Sequence, residues 1–172
     1  LETLSPVGFE LLNLRDTFGL RSCINTVLRM WNPSQAPVSV QGVFHPSYRS
    51  LQAQAASLLG QRDLAIIKGG GGEFERHPSK EITIFGLRDG VHIEQSAGAL
   101  LDETRRLHEA GEDVDLRGLW NGAVKDEFAV STVTGTAALA LFALKAVPTL
   151  SDANHMARAL WDARHQAETL PQ

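Results

Sequence analysis

The apolar residues of this chain change period several times. Over residues 8–20, GFELLNLRDTFGL, Leu11, Leu14 and Phe18 recur at helical spacing, and Gly19 is placed to end the helix. A second short helix is read over 22–30, stopping at Asn32-Pro33, and Pro33 and Pro37 bracket a linker. The pattern then becomes extended. VSVQGVF, 38–44, predicts a strand. Pro46 opens a helix to about Leu59, with Leu51, Ala55, Leu58 and Leu59 on one face and Gly60 as its C-terminal cap. DLAIIK, 63–68, reads as a buried strand. Strand, helix and strand within about 30 residues form a βαβ unit, so the two strands are expected to be parallel.

After residue 80 the period falls to two: Ile82 and Ile84 flank Thr83, and Asp89-Gly90 is a hairpin signal. This predicts antiparallel strands over 81–86 and 91–95. The remainder reads as helical: an amphipathic stretch over 97–110, a short segment over 114–122, and a buried helix over 131–146 ended by Pro148. Ser151 is expected to cap the last helix, with Asp152 in its first turn and Met156, Leu160 and Ala163 on its inner face. The expected architecture is α/β: a parallel-rich sheet with an antiparallel hairpin and flanking helices, preceded by N-terminal helices. The division falls at residues 1–34 and 35–172.

Composition narrows this picture. A chain of 172 residues with 43% apolar and 21% charged residues is an ordinary globular domain that needs no disulfide or metal to hold its core. Cys23 is the single cysteine; it reads as packing rather than a nucleophile, and its isolation fits a reducing cytoplasm. No apolar run reaches the roughly 18 residues of a membrane span, so no membrane partner is expected. Residues 1–80 carry eight Lys/Arg against six Asp/Glu, and residues 81–172 carry eight against fourteen. That balance argues against a protein that coats nucleic acid over its whole surface and leaves room for a basic patch in the first half.

The densest candidate chemistry is IKGGGGEFERHPS, 67–79. Gly69, Gly70, Gly71 and Gly72 follow a strand, where ligands bind in open α/β sheets. A P-loop is rejected, because Lys68 precedes the glycines and Glu73 follows them. Glu73 and Glu75, two apart, point the same way if extended, either toward one metal ion or into solvent. A ligand-facing loop and a structural turn both remain open. The six histidines match no metal-binding spacing and read as surface or satisfied polar groups.

The run LRDTFGLRSCINTVLRMWNP resembles a segment of the anthranilate phosphoribosyltransferase family. The family pattern is Arg, then Leu-Gly-x-Arg-Thr-x-x-Asn, then Gly-Pro-x-x-Asn-Pro, and Arg15, Gly19, Arg21, Asn25, Asn32 and Pro33 fall in step. GVFHP, the Gly-rich acidic loop and FGLRDG follow in the family order, and KGGGGEFER resembles the branch in which some members bind nucleic acid. Leu28-Arg29 replaces the family's Gly-Pro, and Ser22 its Thr.

The resemblance implies a small helical domain, to which residues 1–34 would belong, beside an α/β domain with the active site between. The family's Gly-Thr-Gly-Gly-Asp diphosphate loop has no counterpart here and the first residue is Leu1, so the chain looks like the C-terminal half of a longer protein and is expected to be inactive alone. Glu73 and Glu75 are implied as Mg²⁺ ligands. Arg15, Asn25, Lys68 and Gly69 to Gly72 are implied as substrate contacts, for phosphoribosyl diphosphate and a small acceptor. The alternative is a nucleic-acid-binding relative meeting DNA or RNA through Arg15, Arg21, Arg29, Lys68, Arg76 and Lys80. A homodimer through the helical segment is implied in either case.

Overall fold

The computed structural model describes residues 1–69, 73–103, 105–107 and 115–165. Two helices lead: α1 (Pro6–Phe18) and α2 (Ile24–Met30). Ser5 caps α1 by accepting from the Gly8 N–H, and Gly19 closes it in the left-handed region at φ 65, as its position predicts. Then come β1 (Val38–Val43), α3 (Ser47–Leu58), β2 (Asp63–Lys68), β3 (Ile82–Arg88) and β4 (Val91–Ala97). α4 (Leu116–Asn121), α5 (Glu127–Ala143) and α6 (Leu150–Asp162) complete the chain. Among the described residues no helix is long and apolar enough to cross a membrane.

The sheet order is β1-β2-β3-β4. β1 and β2 are parallel, joined by α3 as the βαβ spacing requires, and the other two pairings are antiparallel. The sheet is therefore mixed rather than parallel-rich. Asp89 at φ 54 and Gly90 at φ 81 both occupy the left-handed region, the signature of a two-residue type I′ turn between Arg88 and Val91.

Alternation along each strand divides the core between two faces. Ala65, Ile67 and Ile84 meet Leu139, Phe142 and Leu150 of α5 and α6 on one face. Val43, Leu64, Ile66 and Leu87 meet Ala53 and Ala56 of α3 on the other. Helix, sheet and helices thus form three layers. The face of α3 corrects the sequence reading: Gln52, Ala53 and Ala56 are buried, whereas Leu51, Leu58 and Leu59 are exposed. Gly60 at φ 79 ends α3 as expected, donating to Ser57 while Gln61 donates to Ala56, a Schellman closure.

Other readings change as well. No helix forms over residues 98–103 or 105–107, and 108–110 lie outside the described residues. The amides of Leu100 and Leu101 instead donate to the Pro78 carbonyl. α5 starts at Glu127, capped by Asp126, and ends before Lys145, which turns left-handed at φ 57. Its burial is as predicted. α6 is capped by Thr149 rather than Ser151, and its buried face is Leu150, Ala153 and Ala157, with Leu160 exposed. Cys23 is exposed, not packed.

Lys145 closes the sheet end away from the glycine loop. Its ammonium contacts Asp63 at 3.0 Å and Asp89 at 2.6 Å, and Asp63 also accepts from the Asp89 N–H at 2.9 Å. Burial pushes the Asp63 carboxyl pKa upward, but the Asp89 N–H and Lys145 outweigh it and hold the net value below the usual carboxylate range.

Candidate functional site

β2 emerges from the core at Ile67, which is fully buried, so Lys68 is the first side chain of this strand to reach the surface. Gly69 follows, itself buried, its N–H donating to the Val43 carbonyl at 3.0 Å. The chain then folds back over it. A Cβ on residue 69 would meet the Glu73 carbonyl oxygen at 2.0 Å and the Glu73 nitrogen at 2.8 Å. Glycine at 69 is thus required by close backbone approach, and that approach sets Glu73 over the strand end. Gly70, Gly71 and Gly72 lie outside the described residues.

A cleft of about 680 Å³ opens at this end of β2. Among the described residues three carboxylates line it, Glu73, Glu75 and Glu81, with four cations, Arg49, Lys68, Lys80 and Arg106. Glu75 is half-buried, with its Oε2 atom shielded from solvent. Arg49, on the first turn of α3, lays its guanidinium 4.0 Å from the Phe85 ring centroid and donates to the Pro46 carbonyl at 3.1 Å.

His77 forms part of the same wall. Its Nδ1 accepts from the Ser79 N–H at 3.2 Å, and the ring stands edge-on to Phe128 with centroids 5.6 Å apart. Burial lowers its pKa most, and Lys80 adds to this, against an opposing hydrogen bond to the Arg105 backbone. The ring is therefore neutral at pH 7, with both nitrogens engaged, which suits a positioning wall better than a proton acceptor.

Arg76 corrects the sequence reading. Only 1% of it is exposed, so it cannot line a basic groove. Its backbone N–H donates to Thr136 Oγ1 at 3.0 Å, Nη1 donates to Asn154 Oδ1 at 2.9 Å, and Nη2 donates to the Gly98 carbonyl at 2.9 Å. Burial pushes its pKa down. Its stem lies beside Gly135 of α5, where a Cβ would stand 3.2 Å from the Arg76 Cδ. The residue next to Glu75 is thus a strut from the loop into the core.

The other predicted residues gather elsewhere. Arg21, Asn25 and Arg29 line a second cleft, of about 600 Å³, between α2 and the junction of β1 with α3. Arg29 donates to the Gly42 carbonyl at 3.2 Å. Arg15 lines neither cleft; it sits exposed on α1, 3.5 Å from Asp16. Lys68, Gly69, Glu73, Glu75 and Lys80 are therefore brought together, and Arg15 and Asn25 do not join them. Sequence reasoning missed Arg49 and His77 in the first cleft and His45 and Tyr48 in the second. For His45 a signal existed, since it follows a strand end.

No family model matches the chain. It is 29% identical over 164 residues to an anthranilate phosphoribosyltransferase of Methylibium petroleiphilum, covering 91% of this chain and 47% of that protein. It is 28% identical over 162 residues to one of Burkholderia thailandensis, covering 89% and 46%. A stretch of 76 residues is 40% identical to an uncharacterized protein of Aquifex aeolicus, covering 44% of this chain and 25% of that protein. The chain thus spans about half the length of the phosphoribosyltransferases it matches. Distant as the identity is, it runs along nine-tenths of the chain, and it supports a distant relationship to one half of the anthranilate phosphoribosyltransferases.

Proposed function

We propose that this chain supplies the metal- and phosphate-binding wall of a phosphoribosyl transferase acting on phosphoribosyl diphosphate and an aromatic or nitrogenous acceptor. The observation that carries the reading is the placement of Glu73, Glu75 and Lys68 around one cleft at the carboxyl end of β2. Among the described residues no group of three or more His, Cys, Asp or Glu is arranged to hold a metal. Mg²⁺ does not need one. It commonly takes one or two carboxylates and completes its shell with substrate phosphates and water. Glu73 and Glu75 match that donor set.

Bound there, Mg²⁺ would neutralise the charge of the diphosphate leaving group. Lys68 and Lys80 would attract the remaining phosphate oxygens. The Gly69 contact and the Arg76 strut would hold the two glutamates in place without further ordering on binding. In the reaction the anomeric C–O bond breaks, diphosphate leaves, and an acceptor nitrogen forms the new C–N bond and then releases its proton.

Calorimetric titration of the protein with phosphoribosyl diphosphate, with and without Mg²⁺, tests this. Mg²⁺-dependent binding is expected, weakened by about 100-fold in a Glu73→Gln/Glu75→Gln double variant, the upper end of losses at metal sites. An unchanged Mg²⁺ dependence in that variant would remove the role of both residues.

The nucleic-acid reading gains no comparable support. Arg76 is buried, Arg15 lies beside Asp16, and Lys68 and Lys80 share their cleft with three carboxylates. A homodimer contact belongs to the proposal as well: no residue of α1 is buried, and Val7, Leu14 and Phe18 stand exposed on it.

A further inference from the structure

We propose that the second cleft, between α2 and the β1–α3 junction, binds a mononucleotide whose base carries an amino group. Five observations converge there. Gln52 lines the cleft from α3 and is 1% exposed, yet its Oε1 meets no hydrogen-bond donor among the described residues. Asn25, on the α2 wall, has a buried Oδ1 in the same condition. Native structures rarely leave a buried side-chain carbonyl without a donor, and two lining one cleft call for a ligand that brings N–H groups.

The same cleft offers aromatic surface. Phe44 and His45 meet edge to face with centroids 4.7 Å apart, and Tyr48 lies 6.2 Å from His45. Phe44 is 52% exposed and Tyr48 37%, so flat apolar area remains for a ring to cover. Arg21 stands exposed on the rim and makes no ion pair with a described residue, leaving its charge for an anion. The volume of about 600 Å³ is that of a small-molecule site.

A ring, amino donors and an anionic group describe an amino-bearing nucleoside monophosphate. A sugar phosphate lacks the ring. A base with a keto oxygen in place of the amino group keeps a single ring N–H donor and sets its oxygen against the carbonyl oxygens. The site shares no described lining residue with the Glu73–Glu75 cleft and stands whether or not the transferase reading holds.

The test is calorimetric titration of the protein, and of a Gln52→Leu variant, with adenosine monophosphate, inosine monophosphate and ribose 5-phosphate. The amino nucleotide is expected to bind at least about tenfold more tightly than the keto nucleotide, the factor of one hydrogen bond. Ribose 5-phosphate is expected to bind more weakly still. Gln52→Leu should abolish the preference while leaving the thermal midpoint equal or higher, since leucine fills similar space without an orphaned carbonyl. The proposal is overturned by equal binding of the two nucleotides, by a preserved preference in Gln52→Leu, or by a clear fall in that variant's midpoint. Binding of an adenine-containing single strand but not of the mononucleotide overturns it too.

Discussion

Replacing Arg76 tests the strongest physical claim made for the loop. The guanidinium is buried with two neutral oxygen partners, Asn154 Oδ1 and the Gly98 carbonyl, and its Nε meets no acceptor among the described residues. Removing it leaves both oxygens without donors, at about 1–3 kcal/mol for each buried group left unpaired. Truncating the stem to alanine adds a cavity beside Gly135, and large-to-small changes in cores cost about 2–5 kcal/mol. Relief from burying a charge opposes both terms by several kcal/mol. The net expectation is a loss of about 3 kcal/mol for Arg76→Ala. Arg76→Met keeps the stem, so its expected loss is smaller, about 1–2 kcal/mol. Urea unfolding followed by circular dichroism measures both. The reasoning fails if Arg76→Ala lies within about 0.5 kcal/mol of wild type, the range of an ordinary surface substitution. It also fails if Arg76→Met is the worse of the two, because hydrogen bonding and cavity would then not both act in the direction assigned.

Gly69→Ala places a methyl group 2.0 Å from the Glu73 carbonyl oxygen, so the loop must move. A destabilisation of about 1–3 kcal/mol is expected, together with loss of Mg²⁺-dependent phosphoribosyl diphosphate binding; a variant that retains both would refute the cradle. Asp63, whose pKa is depressed in the fold, contributes stability that is present above its unfolded value near about 3.9 and is lost as pH falls through the lower folded value. Asp63→Asn should therefore cost about 1–2 kcal/mol at pH 7 and progressively less below pH 4; a gap in urea midpoints that does not close on acidification argues against the Lys145 clamp. Phe18→Glu should shift sedimentation toward monomer if α1 carries the dimer contact, and an unchanged sedimentation coefficient excludes that face.

Much of this was legible along the chain because local rules govern it. β2 falls at its predicted residues, the Asp89-Gly90 turn is of the predicted kind, and Gly19 and Gly60 end their helices, since each depends on neighbours within a few positions. What escaped depends on distance. Arg76 looked like a surface cation because its partners Gly98 and Asn154 lie 22 and 78 residues away. The leucines of α3 looked like a core face, but the helix sits close to the sheet through Ala53 and Ala56, and small side chains permit that approach. Likewise Arg15 and Asn25, both placed in one site by resemblance, fall on different helices, and only Asn25 lines the second cleft. The glutamates and Lys68 share one cleft because they adjoin a strand end, where chain order and spatial order coincide.

The simple strand order has a colloidal consequence. Among the described residues the sheet runs β1-β2-β3-β4 without closure, with β1 and β4 at its borders, and a strand border is a template for another strand. β4 guards its edge with His92 and Glu94, both exposed. β1, Val-Ser-Val-Gln-Gly-Val, carries no charge at all, and the Arg29 guanidinium occupies one of its carbonyls, that of Gly42. Of the two borders, β1 is the one without charge of its own; its second half, Gln41 to Val43, is buried, and Arg29 of α2 sets a cation at Gly42, the kind of residue that opposes strand addition.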